Sequence, residues 1–204
     1  MKLFYLPGAC PLATHIVLKW TGQPCELIVV SRKEIKEPEF LALNPLGAVP
    51  VLKDGDFVLT QSSAILEYLA EAHPDSGLLP TEPRERANVR RWLAFCNADV
   101  HRTFALVFGT ARYVDSDQAR QELVDNAKAM LVNLFRVADE ALQGKDWIAG
   151  QRSIADPYLY TLLRWASAKE VEIGTMQNLK AFRQRMEDDQ GVQAALEEEG
   201  LSGA

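Results

Sequence analysis

The residue in this sequence best placed for chemistry is Cys10. It follows the short apolar stretch "KLFYL" and comes directly before a helical segment that opens with Pro11. Backbone N–H groups at the start of a helix lack partners, and the helix dipole places partial positive charge there. Such a position favours a thiolate, either of Cys10 itself or of a bound ligand. The alternative, that Cys10 is only a small residue filling a turn, stays open at this point.

Two further stretches have groups suited to binding. In "NPLGAVPVL", Pro50 stands at the entry to a strand and is a candidate for a cis bond after Val49. In "LTQSSAI", Gln61 and Ser62 lie between a strand and a helix, where free N–H groups and hydroxyls can bind a carboxylate. Ser62 as a plain helix cap explains the same spacing equally well.

Histidines and the remaining cysteines give weaker signals. His101 lies within a helical stretch, "NADVHRTF", and nothing in the spacing alone makes it catalytic. The three histidines and three cysteines have no metal-ligand spacing, so no metal is predicted. The absence of a CxxC pair favours a reducing compartment, with Cys25 and Cys96 as structural residues.

The elements that must position these residues differ between the two halves of the chain. In the first half, a βαβ unit, whose strands should be parallel, is followed by a hairpin at Asp54-Gly55 and a helix. The predicted strands cover residues 2–6, 26–30, 49–52 and 57–60, and the predicted helices cover residues 11–20 and 62–73. The order is therefore βαβ followed by ββα.

The second half is predicted to be all-helical. Prolines and a glycine in "PDSGLLPTEPRER" interrupt the pattern, and from Arg84 onward apolar residues recur at helical spacing. "SIAD" is a capping box in which Ser153 and Asp156 bond each other's backbone N–H groups. The prediction is an α+β protein of two domains, residues 1–78 and an all-α bundle of residues 87–204, joined by a linker at 79–86.

Composition narrows the classes of function. The chain of 204 residues has a net charge of −6 and a pI of about 5.2, so it lacks the Lys/Arg surplus that nucleic-acid binding needs. No apolar run reaches spanning length, and the N-terminus does not resemble a secretory signal. We therefore expect a cytoplasmic protein that acts on small molecules, with no nucleic-acid or membrane partner.

Taken together, these stretches resemble a cytosolic glutathione S-transferase, most closely the bacterial beta class. The resemblance covers essentially the whole chain and rests on the order and spacing of five stretches: "MKLFYLPGACPLATHIVL", "LALNPLGAVPVL", "LTQSSAILEYLAEAHP", "NADVHRTF" and "DWIAGQRSIADPYL". It implies a thioredoxin-like N-terminal domain, a helical C-terminal domain, and a homodimer with its active site in the cleft between domains. Glutathione would be a substrate, and no metal is implied.

The resemblance also implies roles for individual residues. Cys10 would lie beside the glutathione sulfur, where a mixed disulfide can form, and Cys10, His101 and Tyr5 would be catalytic. Val49, before the cis-proline, would bond the cysteinyl backbone of glutathione, and Gln61 and Ser62 would hold its γ-glutamyl end. The full set of expected glutathione-binding residues is Cys10, Lys33, Val49, Pro50, Gln61, Ser62, Asp99 and His101, with Lys36 as the alternative to Lys33.

A second substrate would lie against the helical domain. Phe104, Phe108 and Tyr113 could form an apolar pocket there, although the same aromatics would serve equally well as core. The leading hypothesis is an enzyme that stabilises the glutathione thiolate and conjugates it to small hydrophobic electrophiles. Two alternatives stand beside it: a glutathione-dependent thiol-disulfide reductase or peroxidase acting through Cys10, and a non-catalytic ligand-binding or interaction module of the same fold.

Overall fold

The computed structural model describes residues 1–201, which form a four-stranded sheet with flanking helices followed by an all-helical part. The strands are β1 (Lys2–Tyr5), β2 (Glu26–Val29), β3 (Val51–Asp54) and β4 (Phe57–Thr60). The helices are α1 (Pro11–Thr21), α2 (Pro38–Leu41), α3 (Ser62–Ala72), α4 (Pro83–Ala94), α5 (Arg102–Phe108), α6 (Asp117–Ala141), α7 (Ala155–Ala168), α8 (Gln177–Glu187) and α9 (Gln190–Glu198).

The sheet confirms the predicted βαβ-ββα order. Its strand order is β2-β1-β3-β4, with β1 parallel to β2 and antiparallel to β3. A two-residue turn joins β3 to β4, and Gly55 in that turn has a φ of 58°, which suits glycine. Leu3 of β1 and Leu52 of β3 are neighbours in the register and are fully or almost fully buried. The thioredoxin-like first part is therefore correctly predicted.

Helix α1 is covered on every side. All residues from Pro11 to Leu18 are buried, because β1 and α3 cover the helix within the first part while α7 and α9 pack on it from the second. A helix apolar throughout, as "PLATHIVL" nearly is, belongs inside a protein and not on its surface. Cys10, the residue directly before α1, is consequently held at the junction of the two parts.

The second part contains one continuous helical run with an irregular middle. Helices α4 and α5 are joined through a seven-residue π-helical segment, Phe95–His101. A π turn has i→i+5 hydrogen bonds and is frequent at functional sites. The π segment carries both Asn97 and His101. Helix α6 packs against α5. Its buried residues are Ala127, Leu131, Phe135 and Ala138, whereas Met130 points outward and is 52% exposed.

The predicted capping box at α7 is half correct. The Asp156 carboxylate accepts the Ser153 N–H at 2.7 Å, as expected, and also accepts the Ile148 N–H and the Ser153 hydroxyl at 3.0 Å each. The Ser153 hydroxyl oxygen, however, accepts from the Ala155 N–H at 3.3 Å and not from Asp156. Because all of these groups are buried, Asp156 fixes the start of α7 and the loop that carries Ile148.

Residues 202–204, the last of the predicted helical domain, lie outside the described residues. Within residues 1–201, none of the helices is both long and apolar enough to cross a membrane.

Candidate active site

Cys10 occupies the N-cap position of α1 and is buried. Its S–H donates to the Val49 carbonyl oxygen at 3.6 Å. Burial raises the pKa of the thiol to about 11, against a smaller opposing effect of the nearby Ser62 hydroxyl. The expected shift towards a thiolate at Cys10 is therefore wrong for the free protein, because desolvation outweighs the favourable end of the helix.

The Val49-Pro50 peptide bond is cis, as predicted. A lysine contacts the loop before this bond: the Lys36 ammonium donates to the Gly47 carbonyl oxygen at 2.9 Å. Lys33, on the preceding turn, is exposed, and its side chain makes no hydrogen bond or ion pair within residues 1–201. The structure thus brings Lys36, and not Lys33, to the loop that contains Val49.

Gln61 and Ser62 form the start of α3. Gln61 is the N-cap, yet its side chain caps no backbone N–H, and its φ of 74° and ψ of 119° lie outside the regions that residues other than glycine normally adopt. Ser62 is the first helical residue and is buried, so the alternative in which it serves as the cap is wrong. The first turn of α3 therefore has N–H groups without a side-chain cap, which is the arrangement that binds a carboxylate.

His101 comes from the second part of the chain to the same cleft. A cavity of about 400 Å³ is lined by Gln61 of the first part and by His101 and Asn97 of the π segment, together with Ala98, Arg102 and Ala105. The Nδ1 atom of His101 lies 2.7 Å from the Tyr158 hydroxyl oxygen. Burial lowers the pKa of His101 to about 4, so the ring is neutral at neutral pH.

Besides Asn97, two aromatic residues of the site were not predicted from the sequence. Tyr158 is fully buried, lies near both Cys10 and Ser62, and bonds His101. The Trp165 ring is edge-on to His101 with centroids 4.9 Å apart, and its Nε1–H donates to the Gly8 carbonyl oxygen at 2.8 Å. Both residues lie on the apolar stripe of α7, and that stripe alone indicates only a packed helix face.

Tyr5 and Asp99 are not brought to this cleft. The Tyr5 ring faces His15 with centroids 6.3 Å apart, and burial, with the carboxylates of Glu199 and Glu198 nearby, raises the pKa of its hydroxyl. Asp99 is exposed and lines a different groove, next to Met130 on α6. In both cases the strand or helix is the predicted one, but the side chain faces another part of the molecule.

The predicted second-substrate pocket is wrong in one member. Phe104 is fully buried, with its ring packed against Phe135 and Trp165, and is therefore a core residue. Phe108 is 49% exposed, and its ring lies 5.2 Å from Trp165 between centroids. Tyr113 is also exposed, beyond the end of α5. An apolar surface beside His101 is formed by Phe108 and Trp165.

The loop that leads into Cys10 is held by the C-terminal helix. The fully buried Glu199 carboxylate accepts the Gly8 N–H at 2.8 Å and lies 3.1 Å from His15 Nδ1. The other ring nitrogen of His15 lies 2.9 Å from Glu198. A Cβ atom at Gly8, where φ is 71°, would meet the Leu201 side chain at 3.7 Å. This group, the Gly8–His15–Glu199 clamp, ties the end of α9 to the Cys10 loop.

Comparison with known proteins agrees with this geometry. Residues 9–77 match the sequence model of the family described as "Glutathione S-transferase, N-terminal domain", and residues 92–189 match "Glutathione S-transferase, C-terminal domain". The chain is 46% identical over 204 residues to glutathione S-transferase GST-4.5 of Xanthomonas campestris, an alignment that covers 99% of this chain and 100% of the relative.

Solved structures lead to the same family. A glutathione S-transferase from Xylella fastidiosa superposes with a TM-score of 0.95 at 45% identity and 98% coverage of both chains. A sphingomonad glutathione S-transferase complexed with glutathione has a TM-score of 0.88 at 35% identity, covering 99% of this chain and 100% of the other. A bacterial beta-class enzyme from Sphingomonas chungbukensis is a further neighbour, with a TM-score of 0.87 at 34% identity, 98% coverage of this chain and 100% of the other. The chain belongs to the glutathione S-transferase family and is most similar to bacterial members, as its sequence predicted.

The raised pKa of Cys10 predicts slow alkylation. Only the thiolate reacts, so at pH 7 we expect Cys10 to react with iodoacetamide roughly two orders of magnitude more slowly than an unperturbed thiol of pKa ~8.5. The rate should rise about tenfold per pH unit up to at least pH 10 without a plateau. Mass spectrometry of the Cys10 peptide measures this rate, and the urea-unfolded protein is the control. A plateau below pH 8 in the folded protein would show that Cys10 is a thiolate after all.

Proposed function

We propose that this protein binds reduced glutathione in the cleft between its two parts and transfers the glutathione sulfur to small hydrophobic electrophiles. The observation that carries the proposal is the shared cleft of Gln61 and His101, which come from different domains. Membership of the glutathione S-transferase family, and the glutathione bound in the sphingomonad relative, support it. A cytoplasmic location is part of the same proposal.

Each part of glutathione has a counterpart in the cleft. The uncapped start of α3, with Gln61 and Ser62, would hold the γ-glutamyl carboxylate and amine. The backbone of Val49 would bond the cysteinyl unit, which places the thiol beside Cys10. Lys36, next to the Val49 loop, would hold the glycine carboxylate in place of the expected Lys33. These contacts would position the sulfur, and positioning is a large part of what such an enzyme supplies.

The chemical requirement is a thiolate, since the thiol itself is a poor nucleophile. Cys10 and His101 are both uncharged in the free protein at neutral pH. The new negative charge would therefore form on glutathione, close to the start of α1 and to His101. The electrophile would lie against Phe108 and Trp165, the apolar surface beside His101.

Calorimetric titration of the fully reduced protein with reduced glutathione tests the proposal. We expect saturable binding of one glutathione per subunit, weakened about tenfold by Ser62→Ala because a hydrogen bond to a charged group is lost. Ser63→Ala is the matched control and should bind as the parent does. Lys36→Ala should weaken binding, whereas Lys33→Ala should not. No binding at millimolar glutathione would favour the alternative of a non-catalytic module.

The reductase alternative depends on Cys10. A thiol that is protonated at neutral pH is slow in disulfide exchange, so the structure favours conjugation over reduction. We expect Cys10→Ser, whose hydroxyl can still donate to Val49, to keep conjugation within about threefold of the parent and Cys10→Ala within about tenfold. Both variants should lack any reduction of mixed glutathione disulfides. Loss of conjugation in Cys10→Ser would contradict this and make Cys10 the activating group.

We also propose that the protein is a homodimer. A groove of about 510 Å³ between the π segment and α6 is lined by Met130 and Val137, both half exposed, and by Asp99. An apolar surface of this kind is expected to be covered by a partner.

Sedimentation equilibrium should give twice the chain mass for the parent and a single chain mass for Met130→Glu combined with Val137→Glu. Val29→Glu, at an equally exposed site on the β2 edge, should stay dimeric; dissociation of this control instead, with the double variant intact, would place the interface elsewhere.

A further inference from the structure

Three side chains form a hydrogen-bonded chain behind the cleft. Tyr158 of α7 reaches between Asn97 and His101 of the π segment, and its hydroxyl oxygen lies 2.9 Å from Asn97 Oδ1 and 2.7 Å from His101 Nδ1. Tyr158 is fully buried. Both contacts join side chains, and the Ser62 hydroxyl also lies near Tyr158.

With the Asn97 amide oxygen facing the Tyr158 hydroxyl, as it does in this structure, the bonding rules favour one arrangement of protons. The Asn97 oxygen can only accept, so the single Tyr158 O–H proton points to Asn97. The Tyr158 oxygen can then only accept from His101, which requires the proton of the imidazole to be on Nδ1. A neutral imidazole has one N–H group, so Nε2 carries a lone pair.

The second nitrogen of His101 faces no protein partner. Nε2 makes no hydrogen bond to any group within residues 1–201. In that part of the chain the only side-chain N or O atom that is both fully buried and unpartnered is Thr14 Oγ1, so Nε2 is open to solvent. His101 lines the same cavity as Gln61. The free acceptor is therefore available to a molecule bound in the cleft.

We propose that Tyr158 and Asn97 are positioning residues that hold His101 in its Nδ1–H tautomer, so that Nε2 accepts the thiol proton of glutathione. The inference rests on the proposed function. The S–H bond breaks, its electron pair stays on sulfur, and an Nε2–H bond forms. Tyr158 still accepts from Nδ1–H, while the new Nε2–H donates to the thiolate.

The thiolate then displaces a leaving group from the electrophile, and the proton on Nε2 goes to that leaving group. The sum is glutathione plus electrophile giving thioether plus protonated leaving group. A histidine in the Nε2–H tautomer would meet the thiol with a donor and could not take its proton. The orientation of the Tyr158 O–H thus decides whether His101 can act.

Nitrogen-15 NMR of histidine-labelled protein at pH 8 tests the tautomer directly, since two-bond proton correlations distinguish a protonated from an unprotonated ring nitrogen. The chain has three histidines, and the signals that are missing from the spectrum of His101→Gln are those of His101. We expect Nδ1–H for His101 in the free protein. Tyr158→Phe removes the acceptor and Asn97→Ala frees the phenol proton to turn to Nδ1, so both should shift the ring to Nε2–H.

Two controls isolate the effect. Tyr160→Phe removes a buried hydroxyl from the same helix, which accepts from Arg164 at 3.4 Å, and should leave the His101 spectrum unchanged. Asn97→Asp keeps an acceptor oxygen for the phenol and should also keep Nδ1–H. A parent protein with Nε2–H, or an unchanged tautomer in both Tyr158→Phe and Asn97→Ala, would overturn the proposal.

Kinetics provides the second readout. General-base catalysis contributes about 10²–10⁴-fold, so we expect kcat for conjugation to fall at least tenfold in Tyr158→Phe and Asn97→Ala. KM for glutathione should stay within about twofold in Tyr158→Phe, because Tyr158 is fully buried and does not line the cavity. Unchanged kcat in both variants despite a changed tautomer would overturn the role of Nε2. Failure of the parent to bind glutathione would instead refute the proposed function while leaving the Nδ1–H assignment measurable.

Discussion

The buried carboxylate of Glu199 is the constraint on which the rest of the site depends. A carboxylate without solvent must be satisfied by donors, and here the donors are Gly8 and His15, almost 200 residues earlier in the chain. The contact fixes the loop before Cys10 and, with it, the start of α1. Trp165 reinforces the same loop through the other polar group of Gly8, its carbonyl oxygen. Contacts from the second domain therefore hold the loop that leads into Cys10.

Desolvation is the second organising effect, and it acts on Cys10 and His101 in opposite senses. It raises the pKa of the thiol and lowers the pKa of the imidazole, so both groups are uncharged at neutral pH. Neither of these two groups therefore carries a charge that would compete with a bound anion. The uncapped starts of α1 and α3 supply fixed dipoles in the same region, and these need no reorganisation when a charge forms.

Local sequence signals predicted most of the fold. The parallel βαβ unit, the hairpin at Gly55 and the helix after Gln61 depend on periodicity and turn chemistry, which act over a few residues. The position of Pro50 before β3 made it a candidate for a cis bond, which the resemblance to the family implied and the structure shows. The helical domain was predicted because strand patterns stop after the proline-rich stretch.

The site was predictable only in part, because its remaining features depend on contacts distant in sequence. His15 gave no signal as a partner of Glu199, and Tyr158 looked like any core residue of an apolar stripe. Phe104 was misassigned since spacing does not tell which aromatic of a cluster faces solvent. The direction of the Cys10 pKa shift was wrong because a sequence shows the helix start but not how much water the folded chain excludes from it.

The π segment gives the run from α4 to α5 an unusual sensitivity to chain length. Each residue in an α-helix advances the side chains by about 100°, so removing one residue between Phe95 and His101 would turn everything after it by that angle relative to α4. His101 would then face away from Gln61, while every residue type in the segment stayed acceptable to a helix. In this stretch, the number of residues constrains the site in addition to the identities of Asn97 and His101.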